Sequence, residues 1–357
     1  MHQIEQFREQ VLGAASAGTA LRIRGGGTKD WYGQQLEGDI LDTRAFDGII
    51  DYEPTELVIT ARCGTPLAHI EAVLAERGQM LAFEPPHFGD SATFGGAIAS
   101  GLSGPRRATS GAVRDFVLGV VLMDGKGETL TFGGQVMKNV AGYDVSRLLA
   151  GSLGTLGLML QMSVKVLPRT VRETSLRFGM SELVALDRLN QWGGQPLPIS
   201  ASCWHAGELT VRLSGARAAV DAAERQLGGE HVVDGERFWR NLREQRHPFF
   251  EGAESLWRLS VPSAASAIIL RGDQLIEWGG AQRWLKAGSD AATVNNIRRA
   301  VQAAGGHATL FRGGDKSVGV FQPLAPAIAK IHERLKASFD PSHVFNPGRM
   351  YQETHAN

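Results

Sequence analysis

The chain of 357 residues carries 37 lysines and arginines against 37 aspartates and glutamates, so its formal net charge is zero and no basic field exists to recruit nucleic acid or an anionic lipid surface. A hydrophobic content of 43% and a charged content of 21% are ordinary for a globular protein, and the length favours two domains over one core. Two cysteines, Cys63 and Cys203, are too few for a disulfide framework or for the four thiolates of an iron–sulfur cluster, and no two of the ten histidines lie close enough in sequence to offer a ready metal face.

The longest strongly apolar run, residues 116–123, falls far short of the roughly 20 residues that span a bilayer, and the opening MHQIEQFREQ lacks a secretory pattern. The expectation is a cytoplasmic chain without a transmembrane segment. Glycine is the departure from the ordinary: 44 residues where an average of about 7% would give roughly 25. Many of them fall between Gly89 and Gly157, beside well-patterned apolar segments, which points to backbone that must approach something closely.

In chain order, residues 3–17 read as a helix, and residues 21–24 as a short strand running into Gly25, Gly26 and Gly27. Thr65-Pro66 reads as a hydroxyl cap followed by proline, opening a helix that runs to about Arg77. Residues 113–131 read as a hairpin turning through Asp124-Gly125-Lys126-Gly127, and residues 156–167 as an alternating strand ended by Pro168. Beyond Pro168 the rhythm changes. Strand-like segments at 174–178, 208–213, 256–261 and 308–311 alternate with amphipathic helices at 181–192, 216–227 and 291–304, the pattern of an α+β unit with helices on a largely antiparallel sheet. Six of the seven tryptophans lie in this part, where packing in a core or sheet is the ordinary role of so large a ring. A last helix at 325–338 is stopped by Asp340-Pro341. The organisation expected is 1–170, 171–324, and a C-terminal helix and loop at 325–357 returning to the first domain.

Three segments carry chemistry. Arg24-Gly25-Gly26-Gly27-Thr28 follows a strand, and successive glycine amides there form a nest for a phosphate or pyrophosphate. The chain has neither the P-loop pattern nor G-x-G-x-x-G, which argues against a P-loop nucleotidase and a Rossmann site. Residues 91–111 are almost all small and supply hydroxyls and free amides to a flat polar ligand, a composition a packed core does not favour. Gly142-Tyr143-Asp144, followed by Gly151-Ser152-Leu153-Gly154-Thr155-Leu156-Gly157, is a further small-residue turn feeding a strand.

The order R-G-G-G-T, T-F-G-G-A-I-A-S-G, K-N-V-A-G-Y-D with G-S-L-G-T-L-G, and N-P-G-R-M resembles the FAD-binding PCMH-type domain of the vanillyl-alcohol oxidase family. The Gly104-Pro105-Arg106-Arg107 insert and the closing Asn346-Pro347-Gly348-Arg349-Met350 are most similar to the FAD-binding subunits of bacterial glycolate oxidases. The fold implied is a two-subdomain PCMH-type FAD-binding domain with an α+β, ferredoxin-like cap on an antiparallel sheet. The cofactor implied is FAD, its pyrophosphate on the amides of Gly25, Gly26, Gly27 and Thr28 with Arg24 and Lys29 nearby. Thr93, Phe94, Gly95, Gly96, Ala99 and Ser100 would pass the pyrophosphate and isoalloxazine. Gly104, Arg106 and Gly111 would lie by the flavin, Ser152, Gly154, Thr155 and Gly157 on the pyrophosphate-to-adenine side, and Asn346 would reach back from the C-terminal loop. Relatives that attach FAD covalently use a histidine or cysteine where this chain carries Thr28, Lys29 and Ser100, so dissociable FAD is expected.

Relatives that oxidise 2-hydroxy acids carry a histidine-rich stretch in the second domain, where this chain has only His307 in Gly306-His307-Ala308. Oxidation of such an acid asks for a cation at the carboxylate and a base at the hydroxyl. Arg106 and Arg107 are candidates for the first, or they hold the loop or a phosphate; His87 is a candidate base, or a hydrogen-bonded loop residue. The resemblance implies a small 2-hydroxy acid as substrate, and a complex with a second, larger flavoprotein subunit and an iron–sulfur subunit, peripheral at the inner membrane through those partners. Alternatives left open are a self-contained FAD dehydrogenase of another 2-hydroxy acid such as D-lactate, and a non-catalytic FAD-holding relay or assembly subunit.

Overall fold

The computed structural model describes residues 2–134 and 144–351. The segment K-N-V-A-G-Y, including Gly142 and Tyr143, lies outside the described residues, whereas Asp144 accepts the amide of Arg147 and so caps the helix Val145–Leu149.

The first unit is built on a five-stranded antiparallel sheet in the order Ile49–Glu53, Val58–Arg62, Leu158–Lys165, Val117–Met123, Thr129–Gly133. Its central strand, Leu158–Lys165, is buried on both faces, so the alternation expected over residues 156–167 gives way to near-continuous burial. The expected hairpin is the pair Val117–Met123 and Thr129–Gly133, preceded by one helical turn at Val113–Phe116. The opening helix His2–Ala17 buries Phe7, Val11 and Ala14, spaced to lie on one face, against this core. At the helix Leu67–Glu76 the capping expectation is corrected: Pro66 occupies the cap position, and the Thr65 hydroxyl donates to the Arg62 carbonyl at 2.8 Å.

A second correction concerns residues 91–111. Thr93 caps a helix, Phe94–Ser100, by accepting the Gly96 amide, and Phe94, Gly95, Ala97 and Ile98 are buried in the core. Small residues there serve close packing as well as ligand approach: a Cβ on Gly95 would stand 2.6 Å from that of Cys63.

The second unit is one eight-stranded antiparallel sheet in the order Glu230–His231, Arg172–Gly179, Glu208–Gly215, Ile199–His205, Asp273–Glu277, Gln282–Lys286, Ser255–Ser260, His307–Gly313. Helices Glu182–Gly193, Arg217–Leu227 and Ala291–Ala303 cover one face, where apolar side chains such as Leu176, Val211, Trp257, Leu259 and Leu285 surround a buried Arg283 whose guanidinium donates to the carbonyls of Ala265 and Ser266. The opposite face turns to the first unit. It carries aromatic and aliphatic residues that pack on Tyr32, Leu102 and Phe88. It also carries polar side chains that a core would not choose: Arg212, Glu277 and Gln282 are all buried there. The helix Gly235–Arg243, absent from the sequence expectation, lies beside this face and donates from Trp239 Nε1 to Ser175 Oγ at 2.8 Å.

The last helix, Pro326–Phe339, ends in a buried ion pair, Lys336 Nζ to Asp340 Oδ2 at 2.7 Å. Asp340 in turn receives the amides of Val344 and Phe345, fixing the loop that returns to the first unit, where Phe345 bridges Leu21 in parallel. Among the described residues no helix is long and apolar enough to cross a membrane.

Candidate functional site

The strand Leu21–Arg24 pairs in parallel with Asp39–Asp42 and then gives way to the glycine run. That run forms one wall of an open cleft lined by Arg24, Gly25, Gly26, Gly27, Thr28 and Lys29 with Thr93, Gly96, Ala99 and Ser100 facing them. An inner recess shares Gly25, Gly96 and Ala99 and adds Cys63, Gly95, Gly154 and Gly157. Asn346 lines both. Its Oδ1 accepts the Ile23 amide at 2.9 Å and its Nδ2 donates to the Leu153 carbonyl at 2.6 Å, so one side chain joins the strand before the glycine run to the turn at 152–157. Arg349 closes the outer rim: its guanidinium donates to the carbonyls of Gln34 and of Asp30, the latter at 2.9 Å. Burial first, with the charge of Arg22 adding to it, pulls the Arg349 guanidinium down to about 10.

The glycines are required by contact as well as by conformation. A Cβ on Gly26 would overlap the Ser91 carbonyl, one on Gly25 would overlap Thr93 Oγ1, and one on Gly154 would stand 2.8 Å from Asn346 Nδ2. Gly27 has a φ of +71°, which turns the chain back on itself after Arg24. Among the described residues no acceptor meets the amides of Gly26, Gly27 and Thr28. Unpaired amides in a cleft of glycines, with Lys29 and Arg24 at its edge, are the donor set that an anionic phosphate ester demands. Lys29 is pulled down to about 8 by burial, with Glu244 opposing, and its Nζ donates to the His87 carbonyl at 3.2 Å. The residues present therefore fit a pyrophosphate-bearing cofactor.

Other expected cofactor residues stand outside this cleft. Phe94 faces the core, and Gly111, with a φ of +107°, turns the chain after the short helix Arg107–Ser110. Ser152 is buried and its carbonyl accepts the Thr155 hydroxyl, which shapes the turn from behind. Gly104 and Arg106 belong to the boundary between the two units. Arg106 is engaged by Glu173 at 2.8 Å and by Glu84 at 3.4 Å, and Arg107 lies over the Trp278 ring, 4.5 Å from its centre. His87 Nε2 lies 3.0 Å from Glu71, and the amides of His87 and Phe88 donate to Glu244.

A narrow pocket lies at the boundary between the two units, beside the segment that runs on from Ser100 to Leu102. Its walls are Phe88, Leu102, Ser103 and Gly104 from the first unit and Arg258, Glu277, Gln282, Trp284 and Phe311 from the second. The strand register puts Glu277 opposite Gln282 and Arg258 opposite Trp284, on the face turned to the first unit. Glu277 accepts Trp284 Nε1 at 2.6 Å and Gln282 Nε2 at 3.1 Å, and Arg258 Nε donates to Gln282 Oε1 at 2.8 Å. Burial pushes the Glu277 carboxyl up to about 7, against the pull of those donors and of Arg258. The Tyr32 hydroxyl, beside Arg258, is raised by burial. At the rim, Gln245 Oε1 is buried without a partner among the described residues. None of Arg258, Glu277, Gln282 or Tyr32 is marked by a motif.

Residues 1–133 match the FAD binding domain family. Over 345 residues the chain is 52% identical to the glycolate oxidase subunit GlcE of Escherichia coli (strain K12), covering 97% of this chain and 96% of that protein. It is 31% identical over 140 residues to the glycolate oxidase subunit GlcD of Bacillus subtilis (strain 168), covering 39% of this chain and 29% of that one. In fold it is similar to p-cresol methylhydroxylase, with a TM-score of 0.68 at 13% identity over 99% of this chain and 88% of the other, which supports the PCMH-type architecture with its α+β cap. Likeness along nearly its whole length, together with a glycine cleft suited to a pyrophosphate, makes this chain a flavoprotein of the glycolate oxidase subunit GlcE family, FAD-dependent oxidoreductases.

Proposed function

We propose that this chain is the FAD-holding subunit of a glycolate oxidase complex, taking part in the conversion of glycolate to glyoxylate beside a larger flavoprotein subunit and passing electrons to an iron–sulfur subunit. The observation that carries this reading is the glycine cleft, where the amides of Gly26, Gly27 and Thr28 meet no acceptor among the described residues. The name of the relative that is 52% identical supports the substrate and the complex.

Bound there, FAD supplies the two-electron acceptor for a carbinol carbon. The amides of Gly25, Gly26, Gly27 and Thr28 hold its pyrophosphate, with Arg24 and Lys29 balancing charge. Gly95, Gly96, Ala99 and Ser100 allow the flat ligand to approach, and Asn346 and Arg349 hold the two sides of the cleft at a fixed separation. The cofactor is dissociable: Thr28, Lys29 and Ser100 stand where relatives that attach FAD covalently carry a histidine or cysteine, and the buried Cys63 thiol, pushed up to about 12, stays protonated. His87, Arg106 and Arg107 position loops around the site through Glu71, Glu84 and Trp278.

The test is to purify the chain, release its flavin with acid, and mix the FAD-loaded protein anaerobically with glycolate, alone and with the two partner subunits. Bleaching of the flavin by glycolate in the assembled complex, and not by D-lactate at the same concentration, is the expected result. A colourless protein that takes up no FAD, or an assembled complex left oxidised by glycolate, defeats the reading.

A further inference from the structure

Three glycines in succession leave the run at residues 25–27 free to turn, so its own residues do not hold its amides on a common target. The two loops beside it do. Ser91 Oγ donates to the Gly26 carbonyl at 2.8 Å, Trp31 Nε1 donates to the Thr28 carbonyl at 3.1 Å, and the rings of Trp31 and Phe88 lie 5.4 Å apart between centres. Each loop is in turn tied by one charged side chain of the second unit. Lys316, in the helical turn Lys316–Val318, donates from Nζ to the carbonyls of Trp31 at 2.8 Å and Gly33 at 2.7 Å. Glu244, at the C-terminal end of the helix Gly235–Arg243, accepts the amides of His87 at 3.1 Å and Phe88 at 2.8 Å on one carboxylate oxygen, while Arg243 Nε donates to the other at 2.7 Å. Phe88 sits at a φ of +55°, a conformation that a phenylalanine keeps only where its surroundings impose it.

The chemistry of the two ties is complementary. A cation takes carbonyls, a carboxylate takes amides, and each takes a pair, so neither loop turns without losing two charge-assisted hydrogen bonds. The ring contact of Trp31 with Phe311 adds packing between the units but fixes no direction of the peptide groups. We propose that the second unit sets the aim of the cofactor nest: Lys316 and Glu244 are positioning residues for FAD, acting through the loops that carry Trp31 and Phe88, and FAD leaves when these ties open. The inference rests on the reading that the FAD pyrophosphate lies on the amides of Gly25 to Thr28, and adds that those amides are preorganised from outside the unit that carries them. Lys29, between the run and Phe88, also feels the charge of Glu244, so the direct effect of that charge on an anionic ligand is the rival explanation that the test must separate.

The test uses the full chain, with FAD affinity measured by flavin fluorescence during titration of the apoprotein and FAD release followed after dilution. K316M and E244A are each expected to weaken FAD about tenfold, mostly by speeding its release, and the double variant about a hundredfold. K316R, which still donates to two carbonyls, is expected to recover most of the loss. The signs of the two effects are diagnostic. If charge alone acted, loss of the lysine would weaken an anionic ligand and loss of the glutamate would tighten it, whereas loss of position weakens it in both. A cooperative thermal transition of each apoprotein shows that it folds, and K316Q and E244Q, closer in size, replace any variant that does not. Wild-type FAD affinity in both variants with lowered apoprotein midpoints reduces the ties to packing between the units and overturns the inference, as does tighter binding by E244A. Uptake of FAD by Gly26→Ala removes the nest reading on which the inference rests; loss of uptake there beside wild-type affinity in K316M and E244A leaves that reading standing and removes the inference alone.

Discussion

The carboxylate of Glu84 meets the guanidinium of Arg212 at 2.9 Å across the boundary between the two sheets. Glu84 sits at a φ of +47° and also receives the backbone amide of Arg106 at 2.8 Å, so one acid ties a loop of the first unit to a strand of the second. Burial alone would raise its carboxyl, but Arg212 and Arg106 together hold it below the ordinary carboxylate range.

Removing that acid leaves the buried guanidinium groups of Arg106 and Arg212 sharing the partly exposed Glu173. Glu84→Ala is expected to destabilise the chain by about 3–5 kcal/mol, the cost typical of breaking a buried pair from one side. Urea denaturation followed by tryptophan fluorescence measures it; a loss below about 1 kcal/mol, the scale of an exposed pair, would mean that the boundary is held by its aromatic packing instead.

Asn346 joins Ile23 to Leu153 by two hydrogen bonds. Asn346→Ala is expected to lower stability by about 1–3 kcal/mol and to weaken FAD by about tenfold or more, because the two sides of the cleft lose their fixed spacing. Flavin fluorescence during titration of the apoprotein gives the second value, and an unchanged dissociation constant would confine Asn346 to a structural role.

Two glycines separate contact from conformational entropy. Gly26→Ala places a methyl in the Ser91 carbonyl and is expected to abolish FAD uptake, whereas Gly13, exposed in the helix His2–Ala17 with nothing near it, gains about 0.5–1 kcal/mol as Ala. Thermal unfolding and flavin content of the two variants, compared side by side, decide the point; equal behaviour would refute it.

Glu277 gives stability a pH signature. Its carboxyl ionises near 4.5 in the unfolded chain and at about 7 when buried, so the native state holds the proton longer. Stability from this group is intact below pH 4.5, declines between pH 4.5 and 7, and is constant above. Glu277→Gln removes that decline. The gap between variant and wild-type urea midpoints is expected to widen in favour of the variant across that window, and a gap independent of pH would place the ionisation elsewhere.

What was legible in the sequence was local. A strand running into Gly25 is a mark a short segment carries by itself, whereas Thr93 and Asn346 were marked by the resemblance of whole motifs to a family. They named the cofactor cleft. The composition of residues 91–111 was legible only in part, because small residues serve helix packing against Cys63 as well as ligand approach. The pocket was not legible. Glu277, Gln282 and Arg258 meet through strand register, with Tyr32 beside Arg258 supplied from far away in the chain, and no spacing along the sequence encodes that meeting. The strands Ile199–His205, Asp273–Glu277 and Gln282–Lys286 escaped notice for a related reason: their polar residues face another unit rather than water, which blurs the periodicity.

Asn346 lies 323 positions from the residue whose amide it accepts. Contacts so far apart in sequence form late, since the intervening chain must first be ordered for their closure to cost little entropy. The cofactor cleft is therefore complete only when the segments around Ile23 and Asn346 have met. The flavin then reports closure of the chain: a molecule that holds it has brought together segments 323 residues apart.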